Sequence, residues 1–259
     1  MTIADRPALA ATIHRLARDA GAAIMRIYAT PFETRTKSDR SPVTDADEAA
    51  EAVILHGLAQ ATPGIPVVAE ERVAAGEIPD VAGKAFWLVD PMDGTREFVS
   101  RNGEFTVNIA LIEDGRPTLG VVYLPVPDIA YLAEGPGKAR RFLHDDATGT
   151  LIAARQPPDD GLDVLASRSH PDPATEAWLR SVPVRQCVNA GSSLKFCRVA
   201  EGSADLYPRL AEIMEWDTAA GHAVVVAAGG SVRTLAGADL LYGKPGFRNP
   251  GFIVRGRDR

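Results

Sequence analysis

Cysteine is nearly absent from this chain: Cys187 and Cys197 are the two in 259 residues. Their spacing matches neither a metal site nor a redox motif, so reduced, buried thiols in a cytoplasmic setting are expected, a setting compatible with peripheral membrane association. Long apolar runs are missing too, which excludes a membrane-spanning helix. The start, Met1 to Leu16, is amphipathic and lacks the basic opening and unbroken apolar stretch of a secretory signal. Positive charge is in deficit. A net charge of −6 argues against a nucleic-acid polymer as partner. An acidic protein still takes a phosphorylated substrate where bound cations invert the local field. Neither a P-loop nor a G-x-G-x-x-G pattern occurs, which removes support for a nucleotide kinase or dehydrogenase. There is no internal repeat and no low-complexity segment.

What is present is ordinary globular composition, 46% hydrophobic and 24% charged. The length suits one large domain or two closely packed ones. Residues 7 to 29 carry Leu9, Ile13, Leu16, Ala20, Ile24 and Ile27 at helical period, and Val43 to Ala61 reads as a second amphipathic helix. Between them Thr34 to Pro42 is polar and turn-rich, a mobile-loop pattern. Ile65 to Ala69 is a short buried strand. Phe105 to Ile112 and Thr118 to Tyr123 flank a Glu-Asp-Gly-Arg turn as a hairpin, extended by strands at Ile129 to Glu134 and Ala139 to His144. The Pro-rich stretch around Ala153 to Gly161 is a boundary candidate. It divides the chain into 1–155, an α+β half, and 156–259, an α/β half. The second half alternates strands (Leu162 to Ala166, Val184 to Val188, Ala204 to Tyr207, Phe252 to Val254) with helices (Pro173 to Leu179, Ser193 to Ala200, Asp217 to Ala228). Helices flanking mixed sheets make an α+β layered arrangement.

The most informative stretch is Trp87 to Thr95, WLVDPMDGT. An apolar strand ends in Asp90, a proline is expected to stop it, and Asp93 follows within one tight turn before Gly94 and Thr95. Two carboxylates presented this way suit a hard divalent cation. The Gly94–Thr95 amides suit a phosphate. The same residues also read as a simple Asp-Gly turn. Two residues separate the aspartates, so the one-residue spacing of D-x-D-x-T phosphatases, with a covalent aspartyl nucleophile, does not fit. Other carboxylates sit at element ends: Glu70 and Glu71 after a buried strand, Asp47 in a Thr44-x-x-Asp47 capping pattern, and Asp217 at a helix start. Each has a structural reading as turn or cap. As a set they supply the acidic groups that a shared metal site requires.

Together Ser41-Pro-Val-Thr-Asp-Ala-Asp, Ala69-Glu-Glu, Trp87-Leu-Val-Asp-Pro-Met-Asp-Gly-Thr and Trp216-Asp-Thr-Ala-Ala-Gly resemble the inositol-monophosphatase superfamily of magnesium-dependent, lithium-sensitive phosphatases. Within it the chain is most similar to the CysQ-type 3′(2′),5′-bisphosphate nucleotidases. Arg96 to Ile112, Ser167-Arg-Ser-His, Gly191-Ser-Ser-Leu-Lys-Phe-Cys and Leu206-Tyr-Pro-Arg carry that likeness. The resemblance implies an αβαβα sandwich of the inositol monophosphatase and fructose-1,6-bisphosphatase type, with two to three Mg²⁺ between its halves. By position, Glu70, Asp90 and the Met92 carbonyl would hold one ion. Asp90, Asp93 and Asp217 would hold a second, and Asp47 would act through waters on a third near Glu70. Thr95 with Asp47 would orient the attacking water, and the Gly94 and Thr95 amides would take the phosphate. Asp45 departs from the pattern, which has a small residue there; it reads as a first-turn acid favoured by the helix dipole.

A bisphosphorylated nucleotide needs groups for its second phosphate. Ser192, Ser193 and Lys195, then Ser167, Arg168, Ser169 and His170, then Arg209 are the candidates. Each also reads as a surface cation or cap, Arg168 above all. The reaction expected from the resemblance is removal of the 3′-phosphate of adenosine 3′,5′-bisphosphate. Inositol or sugar monophosphate hydrolysis at the same site is the alternative, and a non-catalytic phosphometabolite sensor is a third. The resemblance also raises a homodimer as a candidate assembly.

Overall fold

Strands buried on both of their faces set the central layer of this molecule. A computed structural model describes residues 5–36, 42–144, 146–169 and 172–258. Helix α1 (Arg6–Tyr28) starts at Asp5, whose carboxylate accepts the Ala8 amide at 2.9 Å. A small pair, β1 (Arg35–Thr36) and β2 (Pro42–Val43), precedes α2 (Asp45–Ala61). Then follow β3 (Val67–Ala69), α3 (Glu70–Ala74), β4 (Phe86–Asp93) and α4 (Thr95–Val99). A meander of β5 (Thr106–Glu113), β6 (Arg116–Leu124), β7 (Ile129–Ala133), β8 (Ala139–Leu143) and β9 (Thr150–Leu151) completes a seven-stranded sheet in the order β3 to β9. All its pairs are antiparallel except β3 with β4, which is parallel.

The chain then continues through β10 (Leu162–Ser167), α5 (Pro173–Leu179), β11 (Val184–Ala190), α6 (Leu194–Ala200), β12 (Leu206–Arg209), β13 (Ile213–Met214) and α7 (Trp216–Ala227). It closes with β14 (Ser231–Thr234), β15 (Arg248–Asn249) and β16 (Phe252–Arg255). A second sheet takes the order β11-β10-β12-β16-β14. Arg155, where the chain passes between the sheets, bonds Asp205 through Nε at 2.7 Å and Nη2 at 2.8 Å.

Because strand side chains alternate in direction, one sequence serves two cores. Trp87, Val89, Ile109, Leu111, Leu119 and Val121 pack beneath α1 and α2. Phe86, Leu88, Ala110, Ile112, Val122 and Leu124 face the other way. They meet Phe196 of α6 and Ala219, Ala220, Ala223 and Val224 of α7, with Phe252 and Val254 of the second sheet behind them. Helix α7 is buried around almost its whole circumference, as a helix between two sheets must be. The parallel crossovers β10-α5-β11 and β11-α6-β12 run in opposite directions across the sheet, so right-handedness puts α5 and α6 on opposite faces. The result is the expected αβαβα layering.

Local expectations met several corrections. Pro91 does not end β4. The strand runs on to Asp93 with a register break between Asp90 and Asp93, where the missing proline amide has no ladder partner to lose. Asp217 is not a helix cap: Glu215 occupies that position, and Asp217 is the second helical residue. Asp45 is exposed and paired with Arg35 at 2.8 Å, a surface ion pair at the start of α2. Of the polar segment Thr34 to Pro42, residues 37–41 (Ser41 included) lie outside the described residues, as does His170.

Gly120 on β6 is where α7 comes closest to the large sheet: a Cβ there would lie 2.8 Å from the Ala223 Cβ and 3.1 Å from the Ala220 Cα. Gly120→Val is expected to cost roughly 1–3 kcal/mol of unfolding free energy from overpacking, read by urea titration. An unchanged midpoint would contradict this packing.

Candidate active site

Parallel strands bring their C-terminal ends to one edge. In the β3/β4 pair Ala69 lies opposite Val89, so the next residues, Glu70 and Asp90, emerge side by side. Helix α7 delivers Asp217 to the same point. One carboxylate oxygen each from Glu70, Asp90 and Asp217 lie within 4.8 Å of one another. Asp93, carried past the register break, lines the same cavity of about 200 Å³ together with Met92, Gly94 and Thr95. Asp90 is buried, and its Oδ1 accepts the Met92 amide at 2.9 Å.

Asp47 serves two purposes at once. Its Oδ2 accepts the Thr44 amide at 2.7 Å and the Thr44 hydroxyl at 3.0 Å, closing the capping box of α2. Its Oδ1 accepts the Thr95 hydroxyl at 3.3 Å. Asp47 therefore closes the cap of α2 and touches Thr95 at the same time. Gly94 caps α4 with φ 95°, and a Cβ would stand 3.3 Å from the Phe105 backbone, so only glycine is comfortable there. The amides of Thr95 and its successors open α4 without intrahelical partners.

Anchors away from the cavity fix the approach of α7. Glu215 is fully buried and accepts the Gly243 and Lys244 amides at 2.8 and 3.1 Å. Asn249 Nδ2 donates to the Thr218 hydroxyl at 2.7 Å.

The groups expected to recognise a second phosphate divide. Ser167, Ser192, Ser193, Lys195 and Arg209 line the cavity. Lys195 is buried, donates to the Ser192 and Ala190 carbonyls at 2.6 and 3.2 Å, and sits 5.3 Å over the Tyr207 ring. Arg209 Nε is buried with no hydrogen-bond partner. The Ser193 hydroxyl is already engaged with Asn108 Oδ1 at 2.7 Å and Thr106 at 2.8 Å. Arg168 stands outside the cavity wall. Its guanidinium grips Glu104 at 2.9 and 3.0 Å and the Asn189 carbonyl at 2.8 Å, which is the structural role its sequence context allowed.

Sequence reading passed over two buried carboxylates. Glu97, in the first turn of α4, lines the cavity and accepts the Ser169 hydroxyl. Glu51 lies one turn after Asp47 on α2, and that i, i+4 spacing was the available signal.

Crowding acids in a half-buried cleft disfavours their charge. Burial pushes Asp93 up to about 6, assisted by Glu97 and opposed by Lys195 and the Ser193 amide. Burial, then Asp93 and Glu70, raises Asp217 well above the usual carboxylate range. Lys195 is pushed down to about 8 by burial, against the pull of Asp93. A donor set of carboxylates and a strand-end carbonyl, without nitrogen or sulfur, fits a hard cation such as Mg²⁺.

A carboxyl whose folded pKa is raised favours folding below its unfolded value, and that contribution is lost as pH rises through the folded value. Metal-free protein should therefore lose thermal stability between about pH 4 and 6 as Asp93 ionises, and Mg²⁺ should restore it. Melting curves with chelator and with Mg²⁺ across pH 4 to 8 check this. Stability that is independent of Mg²⁺ at neutral pH would contradict it.

Comparison with known proteins agrees with the geometry. The model of the inositol monophosphatase family matches residues 5–252. The 3′(2′),5′-bisphosphate nucleotidase CysQ of Salmonella typhimurium is 50% identical over 243 residues, covering 93% of this chain and 96% of that protein. Its counterpart from Escherichia coli K12 is 47% identical over the same shares. Among solved structures, CysQ from Bacteroides thetaiotaomicron, described as a bacterial member of the inositol monophosphatase family, superposes with TM-score 0.81 at 36% identity. That match covers 97% of this chain and 98% of that one. With its layers, its acidic corner and these likenesses in agreement, the chain belongs to the inositol monophosphatase family.

Proposed function

We propose that this protein is a Mg²⁺-dependent 3′(2′),5′-bisphosphate nucleotidase that converts adenosine 3′,5′-bisphosphate to AMP and phosphate. The carrying observation is the meeting of Glu70, Asp90 and Asp217 within 4.8 Å, beside a Thr95 hydroxyl held by Asp47. The half-identical relative that bears the nucleotidase name supports the substrate class. Among the described residues no helix is long and apolar enough to cross a membrane.

In this reading Glu70, Asp90 and the Met92 carbonyl would hold one cation, Asp90, Asp93 and Asp217 would hold a second, and Asp47 would reach a third through waters. When bound, the cations would supply charge neutralisation at the phosphoryl and leaving oxygens and a more acidic attacking water. The chain supplies the geometry. Thr95 Oγ1 donates to Asp47 Oδ1, which turns its lone pairs toward the attacking water and gives the water's proton a path to a carboxylate. The Gly94 and Thr95 amides bind the phosphate oxygens. The water oxygen joins phosphorus as the bond to O3′ breaks, and O3′ leaves as a hydroxyl once protonated. Lys195 and Arg209 take the 5′-phosphate. No protein nucleophile is required.

Adenosine 3′,5′-bisphosphate should be hydrolysed with higher kcat/KM than inositol 1-phosphate on one preparation. The reverse order would favour an inositol or sugar monophosphatase. Asp93→Asn should lower kcat by roughly 10²-fold or more, and unchanged turnover would refute its role.

Arg209→Ala removes a charged hydrogen-bond donor. It should raise KM for the bisphosphate about tenfold or more while changing KM for 3′-AMP little. Equal effects on both substrates would remove Arg209 from the 5′-phosphate site.

A further inference from the structure

Helix α3 opens on Glu70 with no cap of its own: Ala69, the residue before it, has no side-chain oxygen to offer. The cap comes from elsewhere in the chain. Glu51, on α2, accepts the Glu71 amide on Oε2 at 2.9 Å, twenty residues away in sequence. It is 5% exposed and lies one turn beyond Asp47, so one face of α2 serves both Thr95 and α3.

A helix of five residues is far too short to hold itself together. Its first turn is held by whatever satisfies its open amides, and an acceptor oxygen reaching in from a neighbouring helix does so. Glu70 is the first residue of that turn and also the one that meets Asp90 and Asp217. The direction of its carboxylate therefore depends on whether the turn is closed.

We propose that Glu51 is a positioning residue: by capping α3 from α2 it sets the Glu70 carboxylate against Asp90, and so tunes the affinity of the site for its cation. This rests on the reading that Glu70 holds a cation. Glu51 itself is not among the residues that line the cavity. Its contribution reaches the reaction through the backbone of α3.

The test is a Mg²⁺ titration of the full chain followed by the rise in melting temperature, with the Mg²⁺ dependence of turnover alongside. Glu51→Gln keeps an acceptor oxygen at the same reach. Glu51→Ala removes it, and Glu51→Asp withdraws it by one methylene while keeping the charge. Glu51→Ala and Glu51→Asp should raise the half-saturating Mg²⁺ concentration about tenfold or more, with Glu51→Gln within about twofold of wild type. At saturating Mg²⁺, kcat of all three should approach the wild-type value. If Glu51→Ala does not fold, Glu51→Asp carries the test. A lowered melting temperature with unchanged half-saturation would make Glu51 merely structural and overturn the proposal. So would a Glu51→Gln protein as impaired as Glu51→Ala, because the charge rather than the cap would then matter. A wild-type protein with no response to Mg²⁺ would overturn the reading of the site and this inference with it. A responsive wild type with an unaltered Glu51→Ala overturns the inference alone.

Discussion

Repulsion among carboxylates crowded into one half-buried cleft is the constraint around which this molecule is built. Glu70, Asp90 and Asp217 share a space less than 5 Å across, with Asp93 close by, and burial lifts the pKa of both Asp93 and Asp217. Left alone, such groups would take up protons or move apart. Staying together without a cation therefore requires rigid supports, and each acid has one. Asp90 is embedded in a central strand between two hydrophobic cores. Asp217 rides on a helix pinned by the buried Glu215 and by Asn249. Glu70 has the weakest support, a five-residue helix whose cap is borrowed from α2.

The layering explains how residues so far apart in sequence arrive together. Strands β3 and β4 run parallel inside an otherwise antiparallel sheet, and that single parallel pair is what brings two strand ends to one edge. Helix α7 lies between the two sheets and closes the site from the other half of the chain. Close approach at Gly120 lets it sit deep enough on the large sheet. Fold stability and the geometry of the acidic corner thus depend on the same contacts, so a core substitution under α7 disturbs both.

Much of this was legible in the residues. Helical-period apolar residues located the first two helices, and apolar runs bounded by turn residues located the long strands, which are buried on both faces. The acidic motifs were visible because Asp and Glu at strand ends stand out against apolar runs. What escaped was tertiary. Pro91 looks like a terminator, yet β4 runs through it at a register break that sequence does not display. Asp217 resembles a cap by type, whereas the cap position falls two residues earlier. Arg168 and Arg209 look alike on paper. The presence of Glu104 decides between them, neutralising one and leaving the other at the cavity. Glu51 had a helical-spacing signal, but its partner amide lies on another element.

The same logic separates the polar groups that line the cavity at the start of α6. Ser193 lines the cavity, but its hydroxyl is locked into a buried triangle with Thr106 and Asn108 of β5. A buried hydroxyl with both partners satisfied gains little by turning to a ligand, because doing so would strand Asn108 and Thr106 in an apolar layer. Its work is to fasten the start of α6 to the large sheet and hold Lys195 in place. Lys195 gives two of its donors to the Ala190 and Ser192 carbonyls, and burial brings it close to deprotonation above about pH 8. Arg209 lines the same cavity, and its buried Nε has no bond to break. Of these two cavity cations, Arg209 therefore has a donor left over, while Lys195 has two of its three already committed to the backbone.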